Sequence, residues 1–247
     1  RSESADFRLY TSCNYNIIED NTIILGNAGA DYGFYIYISS GNEIRNNNIT
    51  SGDHGAYLYS SSDNIIENNN FSVAAIAASY GIYMYLFSND NIIKNNTILS
   101  QGDDNIRIYA SLDNIVANNT LCNSDDYGVY ILEGSEGNII SGNNICDNTD
   151  DGIYITTSNE NQIISNNISG NTNGITILNS LFNKIEGNEI MDNSAVGLNF
   201  GTADNAVTFS NGELIDTIIS NSGTVDIDLV ESEITAINLT FNISSIT

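Results

Sequence analysis

The side chains best placed for chemistry are tyrosines that recur in pairs. Tyr35 and Tyr37, Tyr57 and Tyr59, and Tyr83 and Tyr85 each follow a glycine in the pattern Gly-x-Tyr-x-Tyr. Tyr130 and Tyr154 continue the first member of the pair, Tyr109 continues the second, and Arg107 stands where another tyrosine would. Rows of aromatic faces with a guanidinium among them suit stacking on sugar rings or on a neighbouring subunit. Stabilisation of a sheet by tyrosine stacking alone is the plainer account. A second set is acidic. Asp103, Asp126 and Asp150, with Asp31 and Asp53, each stand two residues before a strand-opening position, and Asp104, Asp125 and Asp151 adjoin them. Close carboxylates repel unless a cation intervenes, so a Ca²⁺ ion held by oxygen ligands is one reading. Solvated aspartate corners are the other. His54, the single histidine, follows Asp53 and has the chemistry of a general base, although surface turns hold such a residue more commonly. Arg107 is a candidate base or anion anchor, with a cation stacked between rings as the simpler reading.

These residues line up because the chain repeats. The unit Asn-x-Ile-x-x-Asn-x-Ile occurs at Asn16-Ile18-Asn21-Ile23 and Asn42-Ile44-Asn47-Ile49 and returns through Asn183-Ile185-Asn188-Ile190, its copies 22 to 27 residues apart. Between copies lies a second apolar segment such as Gly33-Phe34-Tyr35-Ile36-Tyr37 or Gly81-Ile82-Tyr83-Met84-Tyr85. The apolar residues alternate with period two, which is strand patterning. Short strands with Asn and Gly corners in every repeat describe one turn of a parallel β-solenoid of nine to ten coils. Coils stack about 4.8 Å apart, so equivalent residues form columns along a rod roughly 45–50 Å long. The 41 asparagines and 39 isoleucines follow from this. Isoleucine fills the interior, and stacked asparagine amides bond to one another where the backbone turns out of the sheet. Glu19, Arg45, Glu67 and Lys94 share a column and pair by alternating sign.

The Asn-x-Ile-x-x-Asn and Gly-Ile-Tyr-x-Tyr patterns resemble the right-handed parallel β-helix repeats of NosD-like and archaeal cell-surface proteins, over residues 5 to 210. The resemblance implies that fold. For function it spans carbohydrate-binding domains, polysaccharide lyases, hydrolases, epimerases and inert scaffolds. NosD itself is associated with copper-site maturation, but one His, two Met and three Cys without ligand spacing give no support to copper here.

Columns and corner lengths then set the expectations for sites. Longer corners at 24–32 and 72–80 flank a short one at 50–54, so a shallow notch is expected with Asp53 and His54 on its floor. Tyr35, Tyr57 and Tyr83 would line its approach. Cys122 and Cys146 fall in one column of adjacent coils, within disulfide reach, and Cys13 has no evident mate. Glycosylation sequons at Asn238 and Asn242 lie beyond the repeat. After residue 210 the pattern decays, so residues 211–247 are expected to form degenerate final coils or a transition to a further domain.

Charge excludes some partners. With 31 acidic against 6 basic residues the net charge is −25, which leaves no basic stripe for a nucleic-acid backbone and opposes docking on anionic lipid. No apolar run is long enough to span a bilayer. The chain opens at Arg1 with no start Met or apolar leader, as expected of a piece of a longer extracellular protein. Two functions follow. The first is a non-catalytic cell-surface scaffold or adhesion domain whose tyrosine ladder binds a glycan or copies of itself. The second is a Ca²⁺-dependent polysaccharide lyase, epimerase or hydrolase acting near Asp53 and His54.

Overall fold

The computed structural model describes residues 4–25, 31–51, 53–73, 78–100, 102–201, 210–220, 225–229, 232–237 and 240–242. Each coil gives one strand to each of three parallel sheets of ten strands, wound as a right-handed β-helix. The first sheet starts at Ser4–Tyr10 and runs through Asp31–Tyr37, His54–Tyr59, Ile82–Tyr85, Ile106–Tyr109, Val129–Leu132 and Asp151–Thr156. The second starts at Ile17–Glu19 and the third at Thr22–Ile24. Strands Ser210–Ile215, Ile218–Ser220 and Val225–Leu229 carry the same three sheets past residue 210.

Period-two alternation places one residue type inside. Ile36, Leu58, Met84, Ile108, Ile131 and Ile155 stack in one interior column, all with no exposed surface. Ile44, Ile66 and Ile93 from the second sheet and Ile49, Phe71 and Ile98 from the third close the same core. The glycine near the start of a first-sheet strand is needed for close approach. A Cβ on Gly55 would lie 2.5 Å from the Gly81 carbonyl oxygen and 2.6 Å from the Phe71 ring.

The corners are polar and satisfied from within. Between the second and third sheets the chain turns through left-handed residues such as Asn46, Asn68, Asn95 and Asn118, with φ of 55–56°, a conformation asparagine tolerates better than most residues. The next residue forms the expected ladder. The Asn96 side chain donates to Asn119 Oδ1 at 3.1 Å and to the Ile66 carbonyl at 2.9 Å, and Asn119 repeats the pattern with Asn143. A second ladder joins Asn42, Asn64, Asn91, Asn114 and Asn138. Ser39, Ser61, Ser88, Ser111 and Ser135 make a serine ladder that the repeat alone had not brought forward.

The charged column of the second sheet is in register, with Arg45 bonded to Glu19 at 2.7 Å and Lys94 to Glu67 at 2.9 Å. Cys122 and Cys146 form a disulfide between adjacent coils, their Cα atoms 4.6 Å apart, and Cys13 is free. No helix among the described residues is long and apolar enough to cross a membrane.

Candidate functional site

Strand register brings the tyrosines together. Arg8, Tyr35, Tyr57, Tyr83, Arg107, Tyr130 and Tyr154 pair in succession across the first sheet. Tyr10, Tyr37, Tyr59, Tyr85, Tyr109 and Leu132 do the same two residues on. In the second column, ring centroids follow at 4.7, 4.9, 5.5 and 5.1 Å from Tyr10 to Tyr109. From Tyr35 onward the ladder tyrosines are half-buried, because each ring covers its neighbours while keeping an edge in water.

A third column stands beside these two, and the sequence reading did not assemble it. Tyr32 pairs with His54, and the backbone then carries the same position through Tyr80, Asp104, Tyr127 and Asp151. Its signal is present in the sequence: each residue directly precedes the Gly or Asn that opens a first-sheet strand. The residue types vary, which is why a search for like residues passes over it.

His54 illustrates the difference. Expected on the floor of an open notch, it is only 8% exposed, with Tyr32 against one side at 4.9 Å and Tyr80 stacked at 5.0 Å. Its Nδ1 accepts the Tyr80 backbone N–H at 3.1 Å. Burial, and then the charge of Arg107, push its pKa down to about 4, so the ring is neutral. Asp53 beside it is partly exposed, and burial raises its carboxyl against a hydrogen bond from the Asp31 backbone that lowers it. The centres of the two long corners, residues 26–30 and 74–77, lie outside the described residues, as does Gly52 of the short one.

Arg107 organises the middle of the face. Its Nε donates to Asp104 Oδ2 at 2.6 Å and its Nη1 to the Tyr80 hydroxyl at 2.7 Å. The guanidinium carbon sits 4.3 Å from the Tyr80 ring and 5.0 Å from the Tyr130 ring. The neighbours of Arg107 along its own column, between which a stacked cation is expected, are Tyr83 and Tyr130. Tyr130 stacks on it as expected, and the nearer ring is Tyr80, from the corner before Gly81. Asp104 has no exposed surface, and its Oδ1 accepts the Tyr127 N–H at 3.2 Å. Burial raises its carboxyl to about 7 against the opposing pull of Arg107. The surrounding phenols are raised too, Tyr80 and Tyr130 to about 12, chiefly by burial, so they act as neutral donors.

Asp103, Asp126 and Asp150 form the expected column, their backbones linked from Asp126 N–H to the Asp103 carbonyl and from Asp150 N–H to that of Asp126, both near 3 Å. Asp103 Oδ1 also accepts the Ala78 N–H at 2.9 Å. Burial raises the Asp126 carboxyl, with Asp103 and Asp150 adding to the effect. Among the described residues no three His, Cys, Asp or Glu side chains gather as a metal site. Asn242 lies on the last strand, Thr240–Asn242, and Asn238 lies outside the described residues.

A family model described as periplasmic copper-binding protein (NosD) matches residues 2–149 and again 79–227. The chain belongs to the NosD family. Comparison with curated protein sequences gave no match. In fold this NosD-family chain is similar to a T265N mutant of the periplasmic alginate epimerase AlgG, with a TM-score of 0.73 at 20% identity, covering 89% of this chain and 62% of that one. It is also similar to an alginate lyase from Paenibacillus sp. str. FPU-7, with a TM-score of 0.65 at 14% identity over 98% and 91% of the two chains. The pectate lyase Pel9A gives 0.54 at 14% identity over 83% and 69%. At these identities the likeness is one of fold. The chain spans about three fifths of the epimerase.

The family's name raises copper, and the soft donors of this NosD-family chain do not fit it. Met84 is sealed in the core, Met191 stands on the third sheet several coils away, Cys122 and Cys146 are bonded to each other, His54 Nδ1 is occupied, and Cys13 stands in the first coil.

Proposed function

We propose that this chain is a polysaccharide-processing β-helix working outside the cytoplasm, with the sugar polymer laid along the rod over the first sheet. The observation that carries the reading is the double tyrosine ladder. Its rings recur once per coil, about 4.8 Å apart, which is close to the length of one sugar residue in an extended chain. The row of half-buried rings gives an extended polymer a continuous amphipathic surface, and protonated phenols supply hydrogen-bond donors to hydroxyl groups. The solved structures of similar fold include proteins named for alginate and pectate, which supports a polysaccharide as substrate class. The periplasmic family and the Cys122–Cys146 disulfide support an oxidising compartment.

Acid–base work on the bound polymer falls to Asp126. Asp104 and His54 are sealed, whereas Asp126 is partly exposed, raised by burial and by its acidic neighbours, and beside Arg107 on the same face. Asp103 and Asp150 stand one coil to either side, about 4.8 Å away along the rod. Retaining glycoside hydrolysis uses two carboxyl groups at about that separation, one of them with a raised pKa.

The test is a panel of soluble polysaccharides assayed for binding and for release of new chain ends. Wild type should bind and cleave at least one, Tyr57→Ala and Tyr83→Ala should lose binding, and Asp126→Asn should bind without cleaving. Binding with no turnover of any polymer would reduce the role to adhesion on the same face. Absence of both binding and turnover would sink the proposal.

A further inference from the structure

Resting on that reading, we propose that the polymer is an amino sugar with free ammonium groups, not a polyuronate. The face already shows how it holds a cation. Among the described residues its two basic side chains both lie over tyrosine rings, Arg8 at 5.1 Å from the Tyr35 centroid and Arg107 at 4.3 Å from that of Tyr80. The three rungs between them, those of Tyr35, Tyr57 and Tyr83, contribute rings and no cation, since His54 is neutral. An ammonium group on a sugar lying over these rungs would meet phenol oxygens that accept its hydrogen bonds, with no cation to oppose it.

Anions are served poorly by the same surface. A polyuronate would bring one carboxylate to each rung, about 4.8 Å apart, and would need a row of free cations to meet them. Arg107 is only 18% exposed, and its Nε and Nη1 are committed to Asp104 and Tyr80. Arg8 is exposed but stands at the first coil, one cation and not a row, and the charges farther along are carboxylates, Asp53 on the rung of Tyr57 and Asp126 beyond Arg107, on a chain of net charge −25. That field raises the local concentration of a cationic polymer and repels a polyanion. The apolar contact of a sugar ring is common to all such polymers, so charge sets the choice among polymers of equal length.

The experiment measures binding of the full chain to three oligosaccharides of equal length: a chitosan oligomer, its fully N-acetylated counterpart and an oligouronate. It is run at low and at high salt without divalent cations. The chitosan oligomer should bind tightest and lose its advantage in high salt, and the oligouronate should bind weakest. Asp53→Asn should weaken chitosan binding by roughly two- to fivefold, as loss of one partly exposed charge pair does, and leave the N-acetylated oligomer unchanged. Equal affinity for the cationic and neutral oligomers, or tighter binding of the oligouronate, would overturn the amino-sugar assignment while the polysaccharide reading stands. Binding of none of the three, nor of any polymer in the wider panel, would remove both.

Discussion

Arg107 and Asp104 form an ion pair across three residues of one chain segment, with the carboxylate wholly buried and the guanidinium reaching the surface. The pair joins the aromatic face to the corner behind it, since Arg107 also bonds Tyr80 and Asp104 also bonds Tyr127. Removing one partner strands the other's charge, whereas replacing both removes the demand for it. Arg107→Met should therefore cost about 3–5 kcal/mol, and Arg107→Met with Asp104→Leu should recover much of that. Urea unfolding of the two variants checks it. Equal loss in both would mean that packing of the arginine stem, not the pair, is what matters.

Two buried groups give opposite pH dependences. Asp104 has a folded pKa near 7, above its ordinary value, so the folded state binds the extra proton and stability falls as pH rises from about 4 to 7. His54 has a folded pKa near 4, below its ordinary value, so the unfolded state binds the extra proton and stability rises across about 4 to 6.5. Asp53, Asp126 and Asp151 are raised as well and add to the fall. Wild type should lose stability between pH 4 and 7. Asp104→Asn should flatten or reverse that slope, and His54→Gln should steepen it. Thermal midpoints across the range would show whether the two slopes separate.

What the sequence made legible follows from what repeats. Asn96 and Asn119 belong to a column of one residue type, and a column of like residues declares both its period and its bonding partner. The ladder tyrosines were legible for the same reason. His54, Tyr80 and Asp104 share a column but not a chemistry, so type gave no hint that they meet. Their placement depends on the corner before each first-sheet strand, where Tyr80 folds back over His54 and under Arg107. Corner conformation is set by loop length and packing, which period alone does not encode. His54 thus looked like a turn residue in water when it is a buried ring between two tyrosines.

The asparagine ladder predicts a dependence on position along the rod. Asn96 is buried, receives the Asn69 backbone and side-chain N–H groups, and donates to Asn119 Oδ1 and the Ile66 carbonyl. Asn96→Ala should leave the Asn69 backbone N–H unpaired, at about 1–3 kcal/mol for that buried group. Asn21, in the first coil, donates to Asn47 but receives nothing from a coil before it among the described residues. Asn21→Ala should cost roughly 1 kcal/mol or less. Comparable losses at the two sites in chemical unfolding would show that the ladder is not the source of the stability.

The disulfide bears on the site as well as on stability. Cys122 and Cys146 join two coils whose next corners carry Asp126 with Tyr127 and Asp150 with Asp151. Closing a loop of 24 residues is worth about 3 kcal/mol through the unfolded chain, and the double variant Cys122→Ser, Cys146→Ser should lose about that much. Its native hydrogen bonds between coils, such as Asp150 N–H to the Asp126 carbonyl, do not depend on the sulfurs. The fold should therefore survive at room temperature, with amide exchange quickened at residues 123–127 and 147–151 and unchanged in the second sheet. Exchange that rises uniformly along the rod would mean that the bond stabilises every coil through the unfolded state alone. A change confined to those corners would make the disulfide the element that holds Asp126 and Asp150 in register beside Arg107.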